Sequence, residues 1–482
     1  MTDMRPVGYI ISFMVMFLGI AMLIPMVLEI ASQTGHWPVF GKSAMLTILI
    51  GGLVAVASKN GVPDALNIKQ TFLITTGIWF VLPLFGAIPF LFSELELSVV
   101  DAVFEAMSGL TTTGSTVLSG LQDMPRGILL WRGLLQWIGG IGIIIVAMVF
   151  LTELRVGGMQ IFRSNGLVSF DMTLPAATRI STQISVIYVI LTILCLIGYM
   201  VTGMGGFDAV VHSMTTVATG GFGNYDNSFA GFNHSTEYVA VLFMLLAALP
   251  FILFIHLADN NVMHLLNNPQ VRGLLATAAT LAAAISFWRF AQADEISEAA
   301  FRKALFNTVS ILTGTGYASD DYMQWGSFPV TALFFVGLIG GCAGSTSCSI
   351  KIFRYQLLFA SIRVQLRKIS NPNGVSVPRY NGQSVEDDVL YSVISFFVFF
   401  IVTLGVTSVL LGLAGEDFIT SVSGASAALA NIGPGLGDVI GPTGNFSSID
   451  DMSKWVLTAA MLIGRLELLA VYAIFTIAFW RA

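Results

Sequence analysis

Apolar runs on the order of 20 residues, long enough to cross the hydrocarbon core of a bilayer as helix, recur in this sequence from Val7–Ile30 and Ala44–Ala57 to Trp455–Trp480. A backbone in that medium has to satisfy its own hydrogen bonds, which leaves helices and closed barrels. The length of the runs selects helices. Composition excludes a water-soluble globule, because 55% apolar and only 10% charged residues, with a mean hydropathy of +0.82, leave too little polar surface to coat one. The first run is expected to stay as a span, since no small-residue cleavage site follows it. Cys195, Cys342 and Cys348 all sit in apolar segments without C-x-x-C spacing, so neither a disulfide framework nor a zinc site is indicated.

The spans group as two leading helices, near 7–30 and 39–57, and four pairs, near 70–92 and 127–153, 183–203 and 237–257, 272–291 and 327–356, and 388–414 and 455–479. This divides the chain into a leading section, 1–66, and four units, 67–155, 180–258, 270–358 and 386–482. Each pair brackets a half-apolar stretch, near 100–120, 207–227, 297–320 and 416–440, that is too short and too rich in Gly, Ser and Thr to span. Such stretches read as re-entrant segments, which enter a membrane only where protein or a water-filled cavity covers their backbone. The fold class is therefore an all-α polytopic membrane protein, with four helix, re-entrant segment, helix repeats around a central pore.

Charge sets the expected orientation. Arg155, Arg163 and Arg179 occupy one connection between pairs, and Arg354, Arg363, Arg367, Lys368 and Arg379 another, so both connections and both termini are expected to be cytoplasmic. The loops around the re-entrant stretches are acidic: Glu94, Glu96, Asp208, Asp226, Asp294, Glu295, Asp320, Asp321, Asp450 and Asp451. An acidic vestibule concentrates cations at a pore mouth. The net charge of −6 alone points to no partner, and nothing suggests nucleic acid.

The re-entrant stretches repeat. The first, beginning Asp101-Ala-Val, and the second, beginning Asp208-Ala-Val, align without a gap through Met107 and Met214 to Gly114 and Gly221. The third and fourth share mainly the ending. The four endings are Thr111-Thr112-Thr113-Gly114, Ala218-Thr219-Gly220-Gly221, Thr313-Gly314-Thr315-Gly316 and Ala430-Asn431-Ile432-Gly433, with the last glycines 95 to 117 residues apart. Gly221 is preferred over Gly220 as the key glycine because it keeps the distance to Asp208. Small-residue helix packing explains any one stretch but not four, each between two spans and each on the acidic side. A short helix running into an extended Thr/Gly segment aims backbone carbonyls at a passing cation, and four such segments supply the oxygen ring that replaces a potassium ion's water. The helices turn their negative ends to the same cavity, and Thr111 and Thr313 are expected to add hydroxyl oxygens at the inner edge.

These endings, together with Gly340-Gly-Cys-Ala-Gly-Ser-Thr346 and Gly464-Arg-Leu-Glu467, resemble the Trk/Ktr/HKT potassium transporter superfamily over nearly the whole chain. The two leading helices resemble its TrkH/TrkG branch, and glycine at all four key positions resembles its potassium-selective members. The resemblance implies a homodimer with one pore per subunit in a bacterial inner membrane, and a cytosolic TrkA-type regulator that binds the regulatory nucleotide. It also implies an intramembrane loop beneath the filter.

That loop falls on Gly340, Gly341, Gly344, Ser345 and Thr346, where small and polar residues interrupt an apolar helix and unwinding is expected. The chain departs from the family by continuing as Ser347-Cys348-Ser349 in place of further glycine. Arg465 sits mid-span, where an arginine costs at least about 2.5–3.5 kcal/mol on insertion scales; it is expected to face the pore and to meet Ser345, Thr346 and free loop carbonyls. Glu467, two positions on, points elsewhere. Chemistry is not indicated: Gly435-Leu-Gly437-Asp438 matches an aspartyl-protease string, but no second mid-helix aspartate completes a dyad. Gly424-Ala-Ser426 likewise has no histidine opposite it in a span. Arginines at every third position of a span and a P-loop are both missing from the sequence, so the ion's own gradient is expected to drive flux. A sodium-coupled or sodium-permeant Ktr/HKT-like carrier is the alternative within transport.

Overall fold

The computed structural model describes residues 3–61, 67–146, 158–159, 174–257, 267–293 and 297–481. Arg155, Arg163, Asp294 and Glu295, used above for orientation, lie outside the described residues. Among the described residues the protein is helical apart from one two-residue strand pair. Among the described residues seven helices are long and apolar enough to cross a membrane: Arg5–Ser32, Trp37–Ser58, Ile68–Phe92, Arg126–Val146, Thr178–Val201, Pro269–Gln292 and Asp387–Leu413.

The leading helices pack closely because small residues line their contact. A Cβ at Gly51 would stand 2.8 Å from Met16 and 3.0 Å from the Ser12 carbonyl oxygen, so only glycine lets the two backbones approach this far. The strand pair, Arg379–Tyr380 with Gln383–Ser384, is closed by Asn381-Gly382, both at positive φ, as a two-residue hairpin turn demands.

Four short helices, Val99–Leu110, Gly206–Val217, Glu298–Thr313 and Phe418–Ala430, begin near the acidic loops and end deep in the protein. Ser98 and Asp417 start the first and last by accepting the backbone N–H of Asp101 and Thr420. From Ala102 to Leu110 every residue of the first is buried, which fits a helix packed on all sides by spans rather than by lipid.

The second helix of each of the last three pairs is broken, where the sequence suggested one break. His234–Ala247 and Phe251–Leu257 are separated at Pro250, which has no N–H to continue the ladder. Ser327–Gly337 and Ile352–Ser370 are separated by a longer irregular segment than expected. Its Cys342 and Thr346 amides donate to the Ala248 and Ala247 carbonyls, at 3.0 and 3.4 Å, so one broken helix satisfies the other. The span expected near 455–479 instead runs Asp451–Arg465 and then turns through Glu467 and Leu468, both at positive φ, before Leu469–Ile474. That turn delivers the Glu467 carboxylate to Lys351 Nζ, at 3.1 Å, and to Arg354 Nη2.

Candidate cation pathway

The four short helices end alike. At the second position of each ending, Thr112, Thr219, Gly314 and Asn431 adopt φ of +51°, +48°, +73° and +50°. Their amides donate to the carbonyls of Gly109, Thr216, Ile311 and Ala428 at 3.0–3.3 Å. The next amides, of Thr113, Gly220, Thr315 and Ile432, reach back to Ser108, Thr215, Ser310 and Ala427 at 2.8–3.0 Å. This double return is a helix C-cap with a left-handed residue. Two of the four left-handed residues are threonines, and a β-branched residue there costs about 1–3 kcal/mol, a strain that persists only where surrounding structure imposes it.

At the fourth position Gly114, Gly221, Gly316 and Gly433 have φ of +88°, +81°, +84° and +104°. A Cβ on Gly114 would overlap the Gly220 carbonyl oxygen, one on Gly221 that of Thr315, and one on Gly316 that of Ile432. One on Gly433 would come within 2.8 Å of the Thr113 oxygen and so return to the first segment. The contacts form a closed cycle, with each glycine laid against the third-position carbonyl of the next segment. All four glycines line a single cavity of about 210 Å³, together with Arg132, Tyr225, Asp226 and Pro434. Gly220 has no positive φ; it is glycine for a different reason, because the Gln136 amide occupies the space a side chain would need.

The threonine hydroxyls at the first position are buried and bonded within their own segments. Thr111 Oγ1 donates to the Met107 carbonyl at 2.7 Å, and Thr313 Oγ1 to that of Val309 at 2.8 Å. Each also meets the hydroxyl two residues on, Thr113 or Thr315. Donating these hydrogens fixes the hydroxyls in place and leaves oxygen lone pairs free to meet a cation.

Beneath the cycle lies the irregular segment that contains Gly340, Gly341, Gly344, Ser345 and Thr346. Ser347 Oγ donates to the Thr313 carbonyl at 2.6 Å and accepts the Gly341 amide at 2.9 Å, placing the segment directly against the third ending. Arg465 is 2% exposed and no carboxylate pairs with it among the described residues. Its Nη1 donates to the Thr346 carbonyl and its Nη2 to that of Gly139, both at 3.4 Å, Nη1 also contacts Cys348 Sγ, and Nε has no partner. The Ser345 and Thr346 hydroxyls, expected on the guanidinium, bond instead to the Cys342 and Ala247 carbonyls. One acceptor lies within the same segment and the other in the neighbouring broken helix.

Sequence reasoning missed Ser347 and Cys348 as contacts, and two networks behind the cavity. In one, Glu105 accepts Arg132 Nε at 2.7 Å and the Val117 amide at 3.0 Å. In the other, Gln136 bonds the second ending. A signal was available, because Arg132 and Gln136 are polar residues one turn apart in an apolar helix. No group of three or more His, Cys, Asp or Glu side chains among the described residues is disposed to hold a resident metal.

An all-helical, multi-span protein whose four re-entrant endings meet in a closed cycle at one cavity belongs with membrane transport proteins. Residues 36–480 match the family described as TrkH, cation transport protein, and the chain belongs to that family; it is a transporter and not an enzyme. It is 40% identical to the Trk system potassium uptake protein TrkI of Halomonas elongata over 99% of this chain and 97% of that one. With the Trk system potassium uptake protein TrkH of Escherichia coli K12 it shares 32% identity over 99% of both. The crystal structure of the potassium transporter TrkH from Vibrio parahaemolyticus superposes with a TM-score of 0.90 at 30% identity, covering 99% of this chain and 100% of that one.

Proposed function

We propose that the chain takes up potassium through a selective pore formed by four non-identical repeats. The filter comprises Thr111–Gly114, Ala218–Gly221, Thr313–Gly316 and Ala430–Gly433. The closed cycle of glycine-to-carbonyl approaches carries this reading, because it brings one main-chain oxygen of each segment against the next around a single cavity, as an oxygen ring for a cation requires. Four helix C-termini add negative potential there. An inside-negative membrane supplies about 2.3 kcal/mol per charge per 100 mV for inward movement. The test is potassium flux into liposomes holding the purified chain, with sodium as competitor. Saturable flux that excess sodium does not suppress is expected, and equal sodium permeation would favour the sodium-permeant alternative.

The segment from Gly340 to Ser349 and Arg465 act as the gate. The segment seals the lower face through Ser347, and the guanidinium sets a fixed positive charge beside it. Glu467 ties Lys351 and Arg354 to the turn just after Arg465, so movement of the helix Ile352–Ser370 reaches both parts of the gate at once. In this reading the protein is an inner-membrane homodimer with both termini in the cytoplasm.

A cytosolic nucleotide-binding regulator docks on the exposed part of that helix. Arg354 is excluded from docking because it is buried in its ion pair, whereas Arg363, Arg367 and Lys368 are exposed. Neutralising these three is expected to weaken co-purification of a TrkA-type protein by about tenfold, at a few tenths of a kcal/mol or more for each exposed charge. Undiminished binding, with lost retention on anionic vesicles, would assign the three residues to lipid instead.

A further inference from the structure

The second ending differs from the other three at its third position. There Thr113, Thr315 and Ile432 carry side chains that hold their own segments in place: Thr113 Oγ1 meets Thr111 and accepts Asn431 Nδ2, Thr315 Oγ1 meets Thr313, and Ile432 is buried. Gly220 has no side chain to hold with, and it is followed by a second glycine, so no side chain at either position restrains this segment.

Gln136 supplies the missing anchor from outside. Its Nε2 donates to the Gly220 carbonyl at 2.6 Å, and its Oε1 accepts the Phe222 amide at 3.1 Å, so one side-chain amide brackets Gly221. Only one orientation of the amide satisfies both partners, since a carbonyl needs a donor and an N–H needs an acceptor. The residue is fully buried, and its amide fills the volume that a Gly220 side chain would take. One turn earlier on the same helix, Arg132 Nη1 donates to the Gly223 carbonyl at 2.8 Å, and its guanidinium lies 4.1 Å from the Phe222 ring centre. The helix Arg126–Val146 therefore splints the second segment at two levels. Gly220 O is also the oxygen against which Gly114 is laid, so the position of one quarter of the carbonyl cycle depends on the Gln136 amide.

We infer that Gln136 is a positioning residue for ion selectivity, fixing the Gly220 carbonyl at the distance that suits a dehydrated potassium ion. This rests on the filter reading above. Gln136→Met keeps length and approximate volume and removes both hydrogen bonds. It is expected to lower potassium-over-sodium discrimination about tenfold, the equivalent of one lost buried hydrogen bond. Gln136→Leu, which likewise offers neither a donor nor an acceptor, is expected to do the same and serves if Gln136→Met does not yield monodisperse protein. Flux ratios are read per folded molecule beside the thermal midpoint in detergent, because a role confined to folding would lower the midpoint and leave the ratio unchanged. Gly114→Ser is measured in parallel. Lost discrimination in both the Gln136 and Gly114 variants supports the inference. Loss with Gly114→Ser alone overturns the role of Gln136 and keeps the filter, and loss in neither overturns the filter assignment itself.

Discussion

Gly114→Ser is expected to lower potassium-over-sodium discrimination by about ten- to a hundredfold, the range that about 1–3 kcal/mol of local strain corresponds to. Gly114 has φ of +88°, where an L side chain is strained, and a Cβ there would overlap the Gly220 carbonyl oxygen. Relief requires either rotation of the Gly114 peptide or retreat of the Gly220 oxygen. Either one displaces an oxygen of the ring, which then replaces the hydration shell of potassium less well, so potassium loses its advantage over sodium. Competition flux on the variant reads the effect directly. Unchanged discrimination would remove Gly114 from the filter.

Arg465→Met is expected to raise basal potassium flux, in the absence of any regulator, by up to about a hundredfold. A unit charge about 5 Å from a cation at an effective dielectric near 20 contributes roughly 3 kcal/mol of repulsion, and its removal relieves that barrier. Stability is expected to hold or rise. Arg465 is buried without a carboxylate and with Nε unpartnered, so replacing it by an apolar side chain removes a desolvated charge and breaks no ion pair. A structural role would give the opposite pair of results, namely a lower thermal midpoint and unchanged flux per folded molecule. Deletion within 341–347 is expected to raise basal flux in the same assay.

The readable part of this fold was what recurs or what the bilayer forbids. The four endings could be aligned from residues alone because glycine at the fourth position is required by a backbone torsion, and a torsion leaves its mark on the residue that adopts it. Unwinding after Gly337 was legible because no apolar helix is written with Gly340-Gly-Cys-Ala-Gly-Ser-Thr. The break at Pro250 carried an equally plain mark and was passed over, since apolar residues on both sides of it read as one span. The turn at Glu467 left none: its cause lies in Lys351 and Arg354, more than a hundred positions earlier. Gln136 is marked as a polar residue in an apolar helix, but its partners and those of Ser347 are main-chain atoms, and a main-chain atom has no letter in the sequence.

The cycle of glycines and carbonyls runs one way around, and it is made within a single chain. In a ring assembled from identical subunits a change of residue is copied into every quarter, so its geometry can only be altered wholesale. Here each quarter has its own codon. A substitution at one glycine presses on the oxygen of its successor as well as on its own peptide, so the damage reaches one segment further around than the mutation. Ion preference can thus drift by quarters, with each small step tolerated by three oxygens still in place.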